Sequence, residues 1–313
     1  SYNKKEGHFT AFHQGILVKA PDLSDLRGKI EYFFADSGEK DRRWGMIRVE
    51  HLKEIERVLE LINEQTYDSE IGRYRSSFLY RGMQNESYYL TTSLHLNCKE
   101  KHRELEKSIL RNFTKYAASE EPLLDESVWR QLIIGQHHGL PTRLQDWTYS
   151  PLIGLHFATS GERLANMEKH GGILWKIDVH EMNRLLPKRY QESLREEKTN
   201  LFTVEMLNEL APDLETYDED MQNDSLVLLE PPSIDQRIIN QYSYFAIIPS
   251  GMGDIEQFLA EKTTGTVKYI IDRSLRWKIR DMLDRMNINE RLIYPGLDGL
   301  SAWLKRHYYV KDM

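Results

Sequence analysis

Among 313 residues there is one cysteine, Cys98. A lone cysteine excludes an intrachain disulfide framework and any zinc site built from several thiolates, and it fits a reducing cytoplasm. No run approaches the roughly twenty apolar residues of a membrane span; the most apolar stretch, Tyr244 to Ile248, has strand length. No apolar h-region lies near the start, so no secretory signal is expected, and the opening Ser1-Tyr2 reads as a processed or trimmed end. Glycine (18) and proline (10) are scattered, which excludes collagen-like and low-complexity chains. No repeat recurs at solenoid or propeller periods. Positive charge is in deficit, with 42 Lys+Arg against 49 Asp+Glu for a net charge of −7. That balance argues against general coating of nucleic acid and leaves only a local patch, such as Arg273, Arg276, Lys278 and Arg280. Phosphate loops, G-x-G-x-x-G, G-x-S-x-G and H-E-x-x-H are all missing. Cys98, between Asn97 and Lys99, has no motif that would activate it as a nucleophile.

What is present is the balance of a soluble globular chain, 40 % hydrophobic and 29 % charged. Helical spacing runs from Met46 to Glu64 through Ile47, Leu52, Ile55, Val58, Leu59 and Ile62. Further helices are expected over Lys99–Ala118 and over Glu126–His138, where Gly139 is a natural stop. Ser150-Pro151 reads as a cap with proline in the first turn of another helix. Later helices are expected near Asp254–Glu261, Ser274–Met286 and Leu297–Tyr308. Short strands are expected at Ser77–Gly82, Ile173–Val179, Ser225–Leu229, Tyr242–Pro249 and Val267–Ile271, with Leu140–Trp147 as a loop. Strands scattered among helices without a βαβ period predict an α+β fold, a mixed and largely antiparallel sheet flanked by helices in a single domain. Residues 1–45 read as an extension packed on that domain, and the charged stretch 187–224 as an inserted helical arm or flap.

Three segments carry the chemistry. Tyr80-Arg81-Gly82 ends a strand with a planar cationic fork beside a glycine that lets a ligand approach the backbone; a surface arginine and a turn is the plainer reading. The run from Gln136 to Pro151 is far denser in polar and aromatic side chains than an ordinary connector. Its adjacent His137 and His138 lack the partners of a metal site, so His137 reads as a buried, hydrogen-bonded residue. Arg143 and Asp146 either brace this segment as a pair or build a site. In the third segment, Arg237 and Gln241 are four apart and share a face if helical, with Glu230 the nearest carboxylate.

Together these segments resemble the FRG domain family, named for its aromatic-Arg-Gly motif. Tyr80-Arg81-Gly82 is similar to that motif, and Gln136 through Thr148 to the long central one, with Gln145 where the family has a second leucine. Arg237-Ile-Ile-Asn-Gln241 resembles the later arginine-glutamine motif, without the glycine expected near Ser243, and Leu297–Trp303 the closing segment. The resemblance implies an FRG domain over residues 46–313. The order of motifs is in turn similar to that of ADP-ribosyltransferases, which implies an ADP-ribosyltransferase-like core with NAD as co-substrate. Arg81-Gly82 corresponds to the first strand element, and Trp147-Thr148-Tyr149-Ser150 with the helix beyond it to the second. Gln241-Tyr242 then stands where many transferases have a glutamate.

Breaking the nicotinamide–ribose bond develops positive charge on the ribose, so such a site holds pyrophosphate and ribose while stabilising that charge. The resemblance implies Arg81, His137, Asp146 and Gln241 as catalytic residues. It implies Tyr80, Arg81, Gly82, Thr142, Arg143, Trp147, Thr148, Ser150 and Tyr242 as cofactor-binding residues, and no metal. Gln241 has no titratable carboxylate, so the general base falls to Asp146, Glu230 or His137. The expectation is a cytoplasmic mono-ADP-ribosyltransferase-like effector or toxin of phage defence. It would modify a macromolecule, RNA or DNA ahead of protein, with an antitoxin or inhibitor as a further partner and no membrane. Two alternatives stand beside it: a nuclease using His137, Arg143 and Asp146, and a non-catalytic nucleotide-sensing or protein-binding module.

Overall fold

Residues Gly172–Asp178 are buried along nearly their whole length, as a strand covered on both faces must be. They lie at the middle of the sheet in the computed structural model, which describes residues 2–3, 8–13, 16–20, 47–69, 71–121, 124–161, 163–233 and 236–311. The strands are β1 (Tyr2–Asn3), β2 (His8–His13), β3 (Ile16–Ala20), β4 (Arg48–Leu52), β5 (Thr66–Asp68), β6 (Arg73–Arg75), β7 (Phe78–Met83), β8 (Leu144–Thr148), β9 (Gly172–Asp178), β10 (Val227–Leu229), β11 (Ser243–Ile247) and β12 (Val267–Ile271). All except the β5–β6 hairpin join one sheet in the order β1-β2-β3-β4-β12-β9-β7-β8-β11-β10. Its pairings are antiparallel apart from β4 with β12, so the α+β, largely antiparallel expectation is met.

Period-2 alternation divides the sheet into two buried faces. Leu79, Trp147, Ile173, Trp175 and Ala246 face the helices Val179–Arg184 and Ile255–Lys262. On the opposite face, Tyr80, Leu174 and Tyr269 pack on Leu155 and Ala158 of helix Pro151–Thr159 and on Ile279 and Leu283 of helix Arg276–Arg285. Further along that face, Leu144, Phe245 and Leu229 pack on Trp129 and Ile133 of helix Val128–His137. Two predicted helix ends hold. Ser150 caps the Ile153 N–H with Pro151 at the first turn, and Gly139 (φ +82°) follows helix Val128–His137 while the Leu140 N–H closes on the Gly135 carbonyl.

Three expectations are corrected. The stretch 46–64 is not one helix: Arg48–Leu52 is a strand, because it pairs with β12 over five residues, and the helix is confined to Ile55–Ile62. Met46 itself lies outside the described residues. The expected loop 140–147 contains β8, whose Leu144 is buried on one face and Trp147 on the other. Its polar residues disguised it: buried Gln145 donates to the Thr91 carbonyl, and buried Thr148 to the Gln241 carbonyl. Residues 188–221 form the helices Lys188–Glu196, Val204–Leu210 and Leu214–Met221, and they belong to the core instead of projecting as a flap. Tyr190, Phe202, Leu207 and Tyr217 are fully buried there, while charges such as Arg189 pair with Asp220 on the outside. Strands β1 to β3 extend the β4 edge through Ile16 opposite Arg48, and residues 21–46 lie outside the described residues.

Candidate functional site

Strands β7 and β8 are neighbours joined at a single residue pair, Tyr80 with Thr148. Continuing the antiparallel register would set Gly82 opposite Asp146, but no such pair forms. On the helix-facing side the packing at Gly82 is close. A Cβ on Gly82 would press on the Gly154 carbonyl, the Ala158 N–H and, at 2.9 Å, the Phe157 Cβ. Gly172 of β9 meets the Ala158 carbonyl in the same way. Helix Pro151–Thr159 therefore seats directly on the backbones of β7 and β9, and beyond Tyr80 β7 and β8 form no further pair. Gly82 serves this helix approach.

Arg81 fills the place where the strands part. Its Nη1 donates to the Asp146 carbonyl at 2.5 Å, the oxygen a continued ladder would give to β7, and lies 3.7 Å from the Asp146 carboxylate. Its Nε–H is buried and has no partner among the described residues. Burial lowers the Arg81 pKa, and Asp146 offsets part of that. The Asp146 side chain is 57 % exposed. Its position is set by a relay: the Thr142 hydroxyl donates to Gln136 Oε1 at 2.6 Å, which turns the Gln136 amide so that Nε2 donates to Asp146 Oδ2 at 3.0 Å. Gln136 is thus a positioning residue that sequence reasoning missed, although it opens the dense polar run.

Other expected site residues have structural duties. Tyr80 is 1 % exposed and packs under helix Pro151–Thr159; Trp147 is 3 % exposed, with its indole N–H on Gln145. Thr142 and Thr148 are buried with the partners given above. Arg143 is engaged twice, by Glu106 at 2.7 and 2.5 Å and by Asp218 at 2.7 Å. Burial works against its charge, but the two carboxylates overcome this and raise its pKa. These five side chains are buried and four of them are engaged by internal hydrogen bonds. Glu106 was legible in principle, since it interrupts the buried helical stripe it shares with Leu110 and Thr114.

The later motif is joined to this region through its backbone. The Gln241 carbonyl takes the Thr148 hydroxyl, while its side-chain amide donates to the Ile293 carbonyl at 3.3 Å, so the amide does not face Arg81. Arg237 lies over the Tyr294 ring beside a cavity of about 540 Å³ that also touches Asp298. His137 ends its helix edge-on to His138, with ring centroids 5.1 Å apart. Ser150 is the helix cap, and Tyr242, 59 % exposed, stands beside Tyr149. Glu230 is exposed near Tyr244, whose pKa is raised by burial first and by Glu230 second.

The expected basic patch is also corrected. Arg276 is buried and donates to the carbonyls of Gln84, His170 and Ser160, and Arg280 is buried against His156 and Glu290. Among the described residues no group of three or more His, Cys, Asp or Glu is arranged to hold a metal ion, and no helix is long and apolar enough to cross a membrane.

The sequence profile of the FRG domain matches residues 76–167, from the lead into β7 to just past helix Pro151–Thr159. Over that stretch the chain is similar to the FRG domain. Both sides of the β7–β8 parting, and with them Arg81, Gln136 and Asp146, fall inside it; Arg237–Gln241 and Leu297–Trp303 fall outside the matched stretch. No curated protein and no solved structure matches the chain.

Proposed function

We propose that this FRG-domain protein is an NAD-dependent mono-ADP-ribosyltransferase-like enzyme acting on a macromolecular acceptor. The observation that carries the reading is the Arg81–Asp146 pair at the parting of β7 and β8: a largely buried cation with an unpartnered N–H beside an exposed carboxylate. That donor set fits NAD. Guanidinium N–H groups suit pyrophosphate oxygens, and a carboxylate accepts from ribose hydroxyls. Bound NAD supplies an ADP-ribosyl group already activated by its bond to nicotinamide. Arg81 binds the anionic linkage, and Asp146, fixed through Gln136 and Thr142, stabilises positive charge at the ribose and accepts the proton of the acceptor nucleophile. Of the aromatic residues expected to bind the cofactor, Tyr80 and Trp147 are buried, so stacking on nicotinamide falls to exposed Tyr242.

The nuclease alternative needs Arg143 on a phosphodiester, and its pairing with Glu106 and Asp218 leaves it occupied. The decisive experiment incubates the protein with NAD labelled in its ADP-ribose moiety and with total RNA, DNA and protein. Nicotinamide release with label transfer is expected, reduced about tenfold or more in Arg81→Ala and Asp146→Asn. NAD binding without release would make the protein a sensor; neither binding nor release would end the transferase reading. The role as a cytoplasmic toxin or effector of phage defence, with an antitoxin to restrain it, predicts that expression of the wild type slows growth and that Asp146→Asn does not.

A further inference from the structure

Tyr242 is bulky, exposed and held at φ +44°, a backbone region that such residues seldom enter. Strain of this kind persists only where the surroundings fix it. Here the Tyr242 N–H donates to the Ile239 carbonyl, its own carbonyl accepts the Tyr149 N–H, and the preceding Gln241 carbonyl accepts the Thr148 hydroxyl. Tyr149, exposed as well, is tied by its hydroxyl to the Ser76 carbonyl. Neither ring belongs to a core cluster.

The charge beside these rings is negative. Leu229 pairs with Phe245, so Glu230 follows beside Tyr244 in register. The Glu230 N–H donates to the Phe202 carbonyl at 2.8 Å, and Pro231 and Pro232 come next, which fixes the main chain there. The Glu230 side chain is exposed, and its carboxylate has no hydrogen bond or ion pair among the described residues. Burial raises the Tyr244 pKa most, then Glu230, then Tyr149 and Tyr242, and no cation counters them. Arg237, the cation nearest to Tyr242 in sequence, lies over the Tyr294 ring instead.

An unpaired carboxylate beside exposed aromatic faces, with no competing cation, selects a planar organic cation, because ring quadrupole and carboxylate both attract positive charge. The pyridinium ring of oxidised NAD is such a cation, whereas the dihydropyridine ring of NADH is neutral. Tyr242 stands three residues from Phe245, the partner of Asp146, or about 10 Å along the strand. That is within reach of the nicotinamide of a dinucleotide whose pyrophosphate lies at Arg81. We propose that Glu230, with Tyr149, Tyr242 and Tyr244, forms an acidic aromatic surface that takes the charged nicotinamide ring and so selects NAD over NADH. Glu230 is then a binding carboxylate and not the general base. This deepens, and rests on, the transferase reading.

Ligand-observed NMR titration of the full chain, without acceptor, tests this with NAD, NADH, neutral nicotinamide and nicotinamide methylated at its ring nitrogen. The methylated probe keeps the cation and has no glycosidic bond to break. NAD is expected to bind about threefold tighter than NADH, and the methylated probe tighter than nicotinamide, with margins that shrink as salt rises. Glu230→Gln weakens the two charged rings about threefold, leaves the two neutral rings as they were, and so removes the margin. Tyr242→Gly relieves the backbone, so it weakens all four ligands while the protein unfolds at no lower temperature; Tyr242→Phe restores binding.

In turnover, Glu230→Gln raises KM about threefold with kcat little moved, because the pyridinium charge is gone once the glycosidic bond breaks. A loss of kcat as large as that of Asp146→Asn would make Glu230 the base and overturn the proposal. Equal affinity for charged and neutral rings, a margin that survives Glu230→Gln, or binding of none of the four ligands overturns it too. Label transfer without any charge preference sinks this inference alone. A preference that depends on Glu230, without nicotinamide release, sinks the transferase reading and leaves this one standing.

Discussion

Arg81 and Arg143 lie in the same stretch similar to the FRG domain, one on β7 and the other just before β8, in opposite circumstances. Arg143 has both faces of its guanidinium fork met by carboxylates, from Glu106 and from Asp218. Arg81 has one main-chain oxygen, a looser approach to a largely exposed carboxylate, and a buried N–H with no partner. The difference follows from the sheet. Ahead of β8 the surrounding helices close over Arg143, whereas beside Arg81 the pairing of the two strands stops. A dense polar motif is thus mostly architecture, and the proposed site lies where that architecture leaves a charged group unsatisfied.

Exchanging the two arginines' fates would break this comparison. Arg143→Ala strands two carboxylates, one of them deeply buried, and is expected to cost about 3–5 kcal/mol in denaturant unfolding. Arg81→Ala is expected to cost about 1 kcal/mol while weakening the proposed NAD binding about tenfold or more. Similar stability losses in the two variants would show that Arg81 is a brace as well. Next in size is Gly82→Ala, whose new methyl meets the backbone of helix Pro151–Thr159; overpacking of this kind costs about 1–3 kcal/mol. Gly253→Ala, where a Cβ meets nothing, stays within about 0.5 kcal/mol and serves as the control.

The smallest effect extends the comparison to Arg280, a second enclosed arginine. Its Nη1 lies 2.9 Å from His156 Nδ1, and burial together with Arg280 and Arg306 holds the His156 pKa well below the ordinary value. That bond makes Nδ1 the acceptor and requires a neutral ring. Between the depressed folded value and the unfolded value of about 6.5, the unfolded chain binds the extra proton. Stability is therefore complete above that pH and declines as pH falls toward the folded value. Relative to His156→Gln, the wild type should lose stability more steeply on acidification; parallel curves would mean that His156 stays neutral at no cost.

Much of the fold was legible because its signals are local. Val267–Ile271 alternates as a strand should, Ser150-Pro151 is a cap and first turn, and Gly139 ends a helix with the one backbone conformation that glycine adopts freely. Strand β8 was hidden because Gln145 and Thr148 are polar yet buried, each satisfied by a carbonyl far away in sequence. The Arg48–Leu52 strand was hidden because its partner β12 lies more than two hundred residues further on. For the site, sequence singled out Arg81 and Asp146 along with residues that prove structural, and it passed over Gln136.

Sequence by itself determined the absence of a disulfide framework, the α+β class, most element positions and the motifs of an FRG domain. Periods, caps and turns are written in neighbouring residues, so a linear reading suffices for them. Only the tertiary structure decided which polar side chains are consumed and which remain. Arg143 depends on acids 37 and 75 positions away, and Arg81 on a helix that seats against Gly82. Burial and pairing are properties of distant residues brought together, and a guanidinium has the same formula whether it braces a core or waits for a ligand.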